Sequence, residues 1–367
     1  MSRDIAQQAP VKLIVPKGTA LAASTLLLVL IIAMGLMYSV AEPFLGTWVA
    51  FFCISCVPSQ VLIGVWIQQQ YPGPVYRLAQ PWRGFAYIML SLILGAVFAA
   101  LTFYLVGGGI SLPRPPLIHF AIVSVVVTFW FAIVWNLWPL NKPNVHPLWK
   151  ALILYGAAYL IGYMLFGSLF NFEFLKATPL YEASIDPGGW FNAWYSVSFL
   201  VTTVAMIFTL VLLDFWPVSV MVRADQAFGR AVLSSLLVIS LSVAVYYIAI
   251  VELKWDPVLY LVHGPVTYIF GVFVPLSLYQ GNLLTGIAQP YRGLALIGVS
   301  LVSGYALNRI YFLFADQILM IEMASGAPSY QLELWAANAM LAFSFPVLVA
   351  ITDHLEFWPM KAKCSQT

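Results

Sequence analysis

Ten stretches of about 20 residues each, almost free of charge, take up most of this chain. Apolar runs of that length match a hydrocarbon layer about 30 Å thick, provided that the backbone satisfies its own hydrogen bonds within each segment. The runs are contiguous rather than alternating in character, so helices are predicted and barrel strands are not. They fall at about 18–40, 45–68, 84–107, 116–138, 149–170, 190–213, 229–251, 257–279, 293–315 and 331–355. Composition agrees: 62% of residues are hydrophobic and 8% charged, whereas soluble domains carry about 25% charged residues. The expected fold class is an all-α polytopic membrane protein with ten transmembrane helices. The first run ends in Ser39-Val40-Ala41, which looks like a cleavage site. Its apolar stretch is nevertheless too long for a secretion signal, and it is expected to be retained as a span.

Where every second run ends, a polar residue, a spacer and an aromatic recur. They read Gln69-Gln70-Tyr71-Pro72, Asn136-Leu137-Trp138-Pro139, Asp214-Phe215-Trp216-Pro217, Ser277-Leu278-Tyr279-Gln280 and Glu356-Phe357-Trp358-Pro359. After each of the first four, a cation opens the next run: Arg83, Lys150, Arg230 and Arg292. Gln80-Pro81-Trp82-Arg83-Gly84 also returns as Gln289-Pro290-Tyr291-Arg292-Gly293. A period of this kind predicts five pseudo-repeated helical hairpins. Tyr or Trp at a helix end anchors at the headgroup level, and the proline turns the chain. Asp214 and Glu356 are unfavourable beside the negative end of a helix dipole, so a cation such as Arg230 or Lys361 is expected nearby. The five polar residues Gln69, Asn136, Asp214, Ser277 and Glu356 read first as interface caps. The functional alternative is a gating or cytoplasmic polar ring at a pore mouth.

Cations set the expected orientation. Segments on the N-terminal side carry Arg3, Lys12, Lys17, Arg77, Arg83, Lys142, Lys150, Arg223, Arg230, Arg292, Lys361 and Lys363, and the opposite side only Arg114, Lys176 and Lys254. This bias predicts cytoplasmic N- and C-termini and a place in a bacterial cytoplasmic membrane. The domain reading is a cytoplasmic segment 1–17, one transmembrane domain 18–355 and a cytoplasmic tail 356–367. The longest loops, about 171–190 and 316–330, are too short to fold alone, although the first could form an interfacial helix or lid through Leu175, Leu180 and Tyr181. A net charge of +2 gives no reason to expect nucleic acid. The partners expected are the lipid bilayer and a small-molecule solute, with a second copy or other membrane subunits admitted.

The two sets of helices differ in composition. Odd runs hold small residues, such as Gly95, Ala99, Gly162, Ser234, Ser300 and Gly304, and even runs hold bulky ones, such as Trp48, Phe129, Trp194, Tyr268, Trp335 and Phe345. Small residues let backbones approach and aromatics suit lipid-facing belts, so the odd helices are expected to form an inner ring and the even ones an outer ring. Five hairpins arranged around a central path resemble the tellurite-resistance/dicarboxylate transporter family and its plant slow-anion-channel relatives. The resemblance is one of architecture; no residue is carried over from it.

Arg309, beside Asn308, lies deep in the ninth run, where a guanidinium costs about 2.5–3.5 kcal/mol on insertion scales. The positions that align with it are near Ala100, Phe166 and Tyr246, so the charge is an addition to the common scaffold. It either snorkels to the outer surface, pairing with Asp316, Glu322 or Glu333, or faces the path and binds an anionic substrate together with Asn308. His119, His263, Cys53 and Cys56 sit at similar depths, yet their spacing matches no metal site, so no metal and no cofactor are expected. Three cysteines make no disulfide framework. Asp353, His354 and Glu356 could form a proton relay, with a solvated helix end as the plainer reading. No nucleotide-binding loop and no catalytic motif is present, so an enzyme is not expected. Transport of a small solute through a channel or secondary carrier, with Arg309 favouring anions, is the leading expectation. Repeats of unchanged orientation tilt it towards a channel-like path, unlike the inverted repeats of many carriers. The alternative is an integral subunit of a larger redox or biosynthetic membrane complex.

Overall fold

The computed structural model describes residues 18–40, 45–110, 112–141, 145–319 and 323–360. The segment 1–17, Glu42, Lys142, Glu322, Lys361, Lys363 and Cys364 lie outside these residues. Ten helices are long and apolar enough to cross a membrane: α1 (Thr19–Ser39), α2 (Gly46–Gln68), α3 (Trp82–Leu105), α4 (Pro115–Val134), α5 (Pro147–Leu169), α6 (Ala193–Leu212), α7 (Ala227–Glu252), α8 (Pro257–Leu278), α9 (Tyr291–Ile318) and α10 (Gln331–His354). They mark an integral multi-pass membrane protein. The only strand pairing among the described residues is a two-residue parallel contact, Phe170–Asn171 with Phe191–Asn192, in the α5–α6 connection. There the chain forms a single 3-10 turn, Glu173–Leu175, in place of an interfacial helix.

Helix contacts close a ring. The even helices touch in the order α2–α4–α6–α8–α10 and back to α2. Each odd helix packs outside, in the groove between two of them: α1 between α8 and α10, α3 between α10 and α2, α5 between α2 and α4, α7 between α4 and α6, and α9 between α6 and α8. The expected inner ring of odd helices is therefore corrected, because the even helices are inside. Between 56 and 72% of the apolar stretch of each even helix is buried within the protein, against 22–33% for the odd helices.

The reason lies in how a lipid-facing helix is built. An odd helix needs only one narrow stripe that fits a groove, and its remaining surface can be any apolar residue, because lipid accepts it. On α1 the stripe is Ala22, Thr25, Val29, Ala33 and Met37; on α5 it is Ala151, Leu154, Ala158, Gly162 and Phe166. Small residues admit the groove wall: a Cβ on Gly95 would collide with Cys56, and one on Gly304 with the Thr267 carbonyl. Gly271 of α8 faces the same crossing, against Ser300 and Gly304. Hydroxyls and amides then join neighbouring helices, as in Thr202 with Tyr260 (2.9 Å), Thr209 with Tyr268 (2.9 Å) and Tyr311 with Ser344. Aromatics of the even helices pack against one another inside the ring, as Phe129 does on Phe208 and Phe273 on Phe345.

At the end where α1 begins and α10 closes, here the first end, the recurrent turns are helix C-caps. Asn136 and Leu137, Asp214 and Phe215, and Glu356 and Phe357 all take left-handed conformations, and Gln70 and Gln280 do so at the other two turns. The Leu137 and Phe357 amides reach back to the Phe131 and Ile351 carbonyls (2.9 Å each), the six-residue closure that satisfies the last free carbonyls of a helix. The Gln-Pro-aromatic-Arg-Gly segments clasp these caps from outside. Gln80 donates to the His354 carbonyl (2.9 Å), accepts from the Gly84 amide (3.1 Å), and is followed by an Arg83–Glu356 ion pair of 2.5 Å. Gln289 likewise donates to the Leu212 carbonyl and accepts from the Gly293 amide, and Arg292 lies 3.7 Å from Asp214. Each clasp closes on a helix other than the one preceding it in sequence. Asp214 is thus met by Arg292 in place of the expected Arg230, and Glu356 by Arg83, while Lys361 lies outside the described residues. Arg230 instead donates to the Val222 and Ser219 carbonyls.

Candidate functional site: a neutral cavity inside the helix ring

A cavity of about 710 Å³ lies inside the ring and is lined by all five even helices. Such a volume falls in the range of about 300–1,000 Å³ typical of small-molecule pockets. Its walls include Ile54 and Val57 of α2, Ile122 and Val126 of α4, Val197 and Val201 of α6, Val266 and Ile269 of α8, and Leu334 and Leu341 of α10. Phe174, Leu175 and Leu180 of the α5–α6 connection and Tyr330 line it at the second end, so the expected apolar anchoring of that loop takes the form of a cavity wall.

Towards the first end the ring is shut by phenylalanine. Phe129 (α4), Phe208 (α6), Phe273 (α8) and Phe345 (α10) form a closed set of ring contacts, with centroids 5.3, 5.2, 4.5 and 6.5 Å apart in turn. Three of them line the cavity floor. Gln60 of α2 stands at the remaining side and ties α2 to α10 through its amide nitrogen and the Pro346 carbonyl (3.0 Å).

Among the described residues no Asp, Glu, Lys or Arg lines the cavity. A bare ion moved into such surroundings loses its hydration and costs several kcal/mol unless a counter-ion meets it. The cavity is therefore suited to a neutral occupant. Its polar atoms are few. His119 of α4 is buried, with Nδ1 2.8 Å from the Pro115 carbonyl and rings of Phe172 and Trp194 at 5.2 Å. Its Nε2 is buried without a hydrogen-bond partner. Asn338 of α10 opens a π-helical segment, Asn338–Ser344, on the stripe that also carries Leu334, Leu341 and Phe345 into the cavity. At the rim, the Tyr330 hydroxyl donates to Asp256 (2.6 Å). Burial, followed by that hydrogen bond, pushes the phenol up to about 12.

Apart from His119, the residues singled out from sequence lie elsewhere. Arg309 is exposed on the outer face of α9, with its guanidinium 5.7 Å from the Tyr305 ring, and it does not line the cavity. Asn308 is buried and donates to Thr267 (2.9 Å) in the α8–α9 contact. Gln69, Asn136, Asp214, Ser277 and Glu356 all sit at the first end without lining the cavity. Asp214 and Glu356 are bound into separate clasps. Among the described residues no three His, Cys, Asp or Glu side chains gather as a metal site. His263 is exposed against Phe312, Cys53 and Cys56 are free, and Cys56 packs on Gly95. His354 is buried with neither ring nitrogen partnered, beside Tyr87. Sequence reasoning passes over Asn338 and Phe208, and counts Phe129 and Phe345 only among the bulky residues of the even runs. For Asn338 a signal was present, a carboxamide inside an otherwise apolar run. The sequence matches no protein-family model, and comparison with curated proteins and with solved structures gave no match.

Proposed function

We propose that this chain is a membrane transport protein that accepts a neutral, largely apolar solute into the cavity inside its helix ring. The observation that carries the reading is a space of about 710 Å³, walled by five helices and, among the described residues, free of formal charge. Water gains little from filling apolar walls, whereas a hydrophobic molecule gains from leaving water for them. The earlier expectation of an anionic solute gives way, because the guanidinium meant to receive it points outside. Following the cation bias, we place the first end at the cytoplasm of a bacterial cell, so that the cavity lies beyond the phenylalanine closure, towards the outer leaflet. Movement through to the cytoplasmic side requires Phe129, Phe208, Phe273 and Phe345 to part.

The test is binding of 1-butylpyrene to the protein in lipid nanodiscs, read by energy transfer from tryptophan and corrected for empty discs. Val201→Phe together with Val204→Phe fills the cavity and is expected to weaken binding about tenfold or more, as the loss of apolar contact area implies. Val302→Phe, on the exposed face of α9, is expected to leave it unchanged. Equal binding by the two variants would sink the cavity reading.

A further inference from the structure

Arg309 carries a full charge on the outer face of α9 and takes no part in the cavity. Its neighbours on that face, Leu301, Val302 and Leu313, are exposed and apolar, as a lipid-facing surface allows. Counted along the helix, Arg309 stands about 13 Å short of the end at Ile318. A hydrocarbon core of about 30 Å centred on the 28 residues of α9 leaves its backbone about 7 Å inside. Side chains on a helix lean towards its N-terminus, and this one sets its guanidinium 5.7 Å from the Tyr305 ring, one turn deeper. The snorkelling expected from sequence is therefore reversed.

A cation in hydrocarbon needs an anion, and an aromatic face supplies only part of that need. Among the described residues no carboxylate comes within ion-pair distance of Arg309. Asp316 stands at the helix end and accepts from Gln317 (2.6 Å). Glu333 is buried and already held by the Ser325 hydroxyl and the Gly326 amide. His263 of α8 lies exposed against Phe312, one turn along α9 from Arg309, near enough to feel the guanidinium's charge. Its ring offers hydrogen-bonding nitrogens but no negative charge.

The anion has to come from outside the chain. A second copy is poorly suited to bring it, because a two-fold contact through this face sets Arg309 against itself. The exposed carboxylates of the described residues also stand at helix ends or in loops, away from its depth. What surrounds the face is lipid, and a lipid phosphate can meet a guanidinium with paired hydrogen bonds. We propose that Arg309 holds the headgroup of an anionic phospholipid from the leaflet at the second end. Local thinning brings the phosphate down to the guanidinium, and an acyl chain lies along Val302 and Leu301. Ala100, Phe166 and Tyr246 align with Arg309, so α3, α5 and α7 have no cation at that position. The site lies outside the cavity and does not depend on how the cavity is read.

The experiment counts bound lipids on the full chain in detergent by native mass spectrometry, with phosphatidylglycerol, phosphatidylcholine or glycerol phosphate titrated in. The wild-type protein is expected to hold one more phosphatidylglycerol than Arg309→Leu does, with affinity at that site falling about fivefold or more in the variant, the worth of one cation beside anionic lipid. Phosphatidylcholine should bind alike to both proteins, and Arg309→Lys should keep a share of the difference. The unfolding midpoint without added lipid checks that each variant is folded; should Arg309→Leu fail, Arg309→Gln replaces it. Equal uptake of phosphatidylglycerol by wild type and variant overturns the inference, as does an equal loss for phosphatidylcholine. Displacement of the extra lipid by glycerol phosphate at similar concentration assigns the guanidinium to a soluble phosphate and overturns it too. So does a second copy or other protein subunit that stays bound to the wild type and is lost from Arg309→Leu.

Discussion

Arg83 and Arg292 hold equivalent places in two copies of one sequence motif, yet they are not expected to matter equally. Arg83 pairs with Glu356, whose side chain is 53% exposed, and such surface pairs contribute about 0–1 kcal/mol. Arg292 is more deeply set and also donates to the Leu283 and Gly281 carbonyls, besides its approach to Asp214. Removing it leaves backbone acceptors unmet, at about 1–3 kcal/mol. Arg292→Ala is therefore expected to lower the thermal unfolding midpoint in detergent clearly more than Arg83→Ala does. The reverse order would show that the ion pair, and not the backbone bonds, carries the clasp. The glutamines contribute in the same way, since each satisfies a helix-end carbonyl and an amide at once.

At the scale of the helix, the α8–α9 crossing is the tightest test of how the outer helices fit. Gly271 meets the Ser300 carbonyl and the Gly304 backbone, and no side-chain rearrangement can make room for a Cβ where backbone meets backbone. Gly271→Ala is expected to force the helices apart and cost about 2 kcal/mol or more, read as a lowered unfolding midpoint. Gly298, on α9 with nothing within 4 Å of a new Cβ, should accept alanine without loss. Loss of stability at both positions would mean that helix flexibility, and not the crossing, explains the glycines. The same crossing holds Asn308, whose hydrogen bond to Thr267 makes it a link between α8 and α9.

For the whole molecule, the decisive feature is which ring is inside. An inner ring of aromatic-rich helices gives an apolar cavity with no charge among its described lining residues, and it leaves Arg309 on the outer surface over Tyr305. Arg309→Ala is accordingly expected to change 1-butylpyrene binding by less than about twofold, within the scatter of a surface substitution. A larger loss would reopen a role for the guanidinium in solute recognition. Interior and exterior exchange places relative to the compositional expectation because a lipid-facing surface does not have to be polar. In water the outer helices would betray themselves by charged faces; in a bilayer both sets are apolar all round.

That difference separates what could be read from the chain alone from what could not. The number of helices, their limits to within a few residues and the recurrence of the turns at one end follow from local physics. An apolar run of spanning length, an aromatic anchor and a proline act within a few residues of where they stand. The clasp pairings could not be read this way, because Gln80 and Arg83 reach α10 and Gln289 and Arg292 reach α6, and sequence proximity points to the wrong helix in each case. Asn338 and His119 were visible as polar letters in apolar runs, but only the closed ring of α2, α4, α6, α8 and α10 brings them to one cavity. Spanning a membrane is decided one segment at a time by transfer from water to hydrocarbon. The site is decided by which apolar faces pack together, and there shape, not polarity, makes the choice.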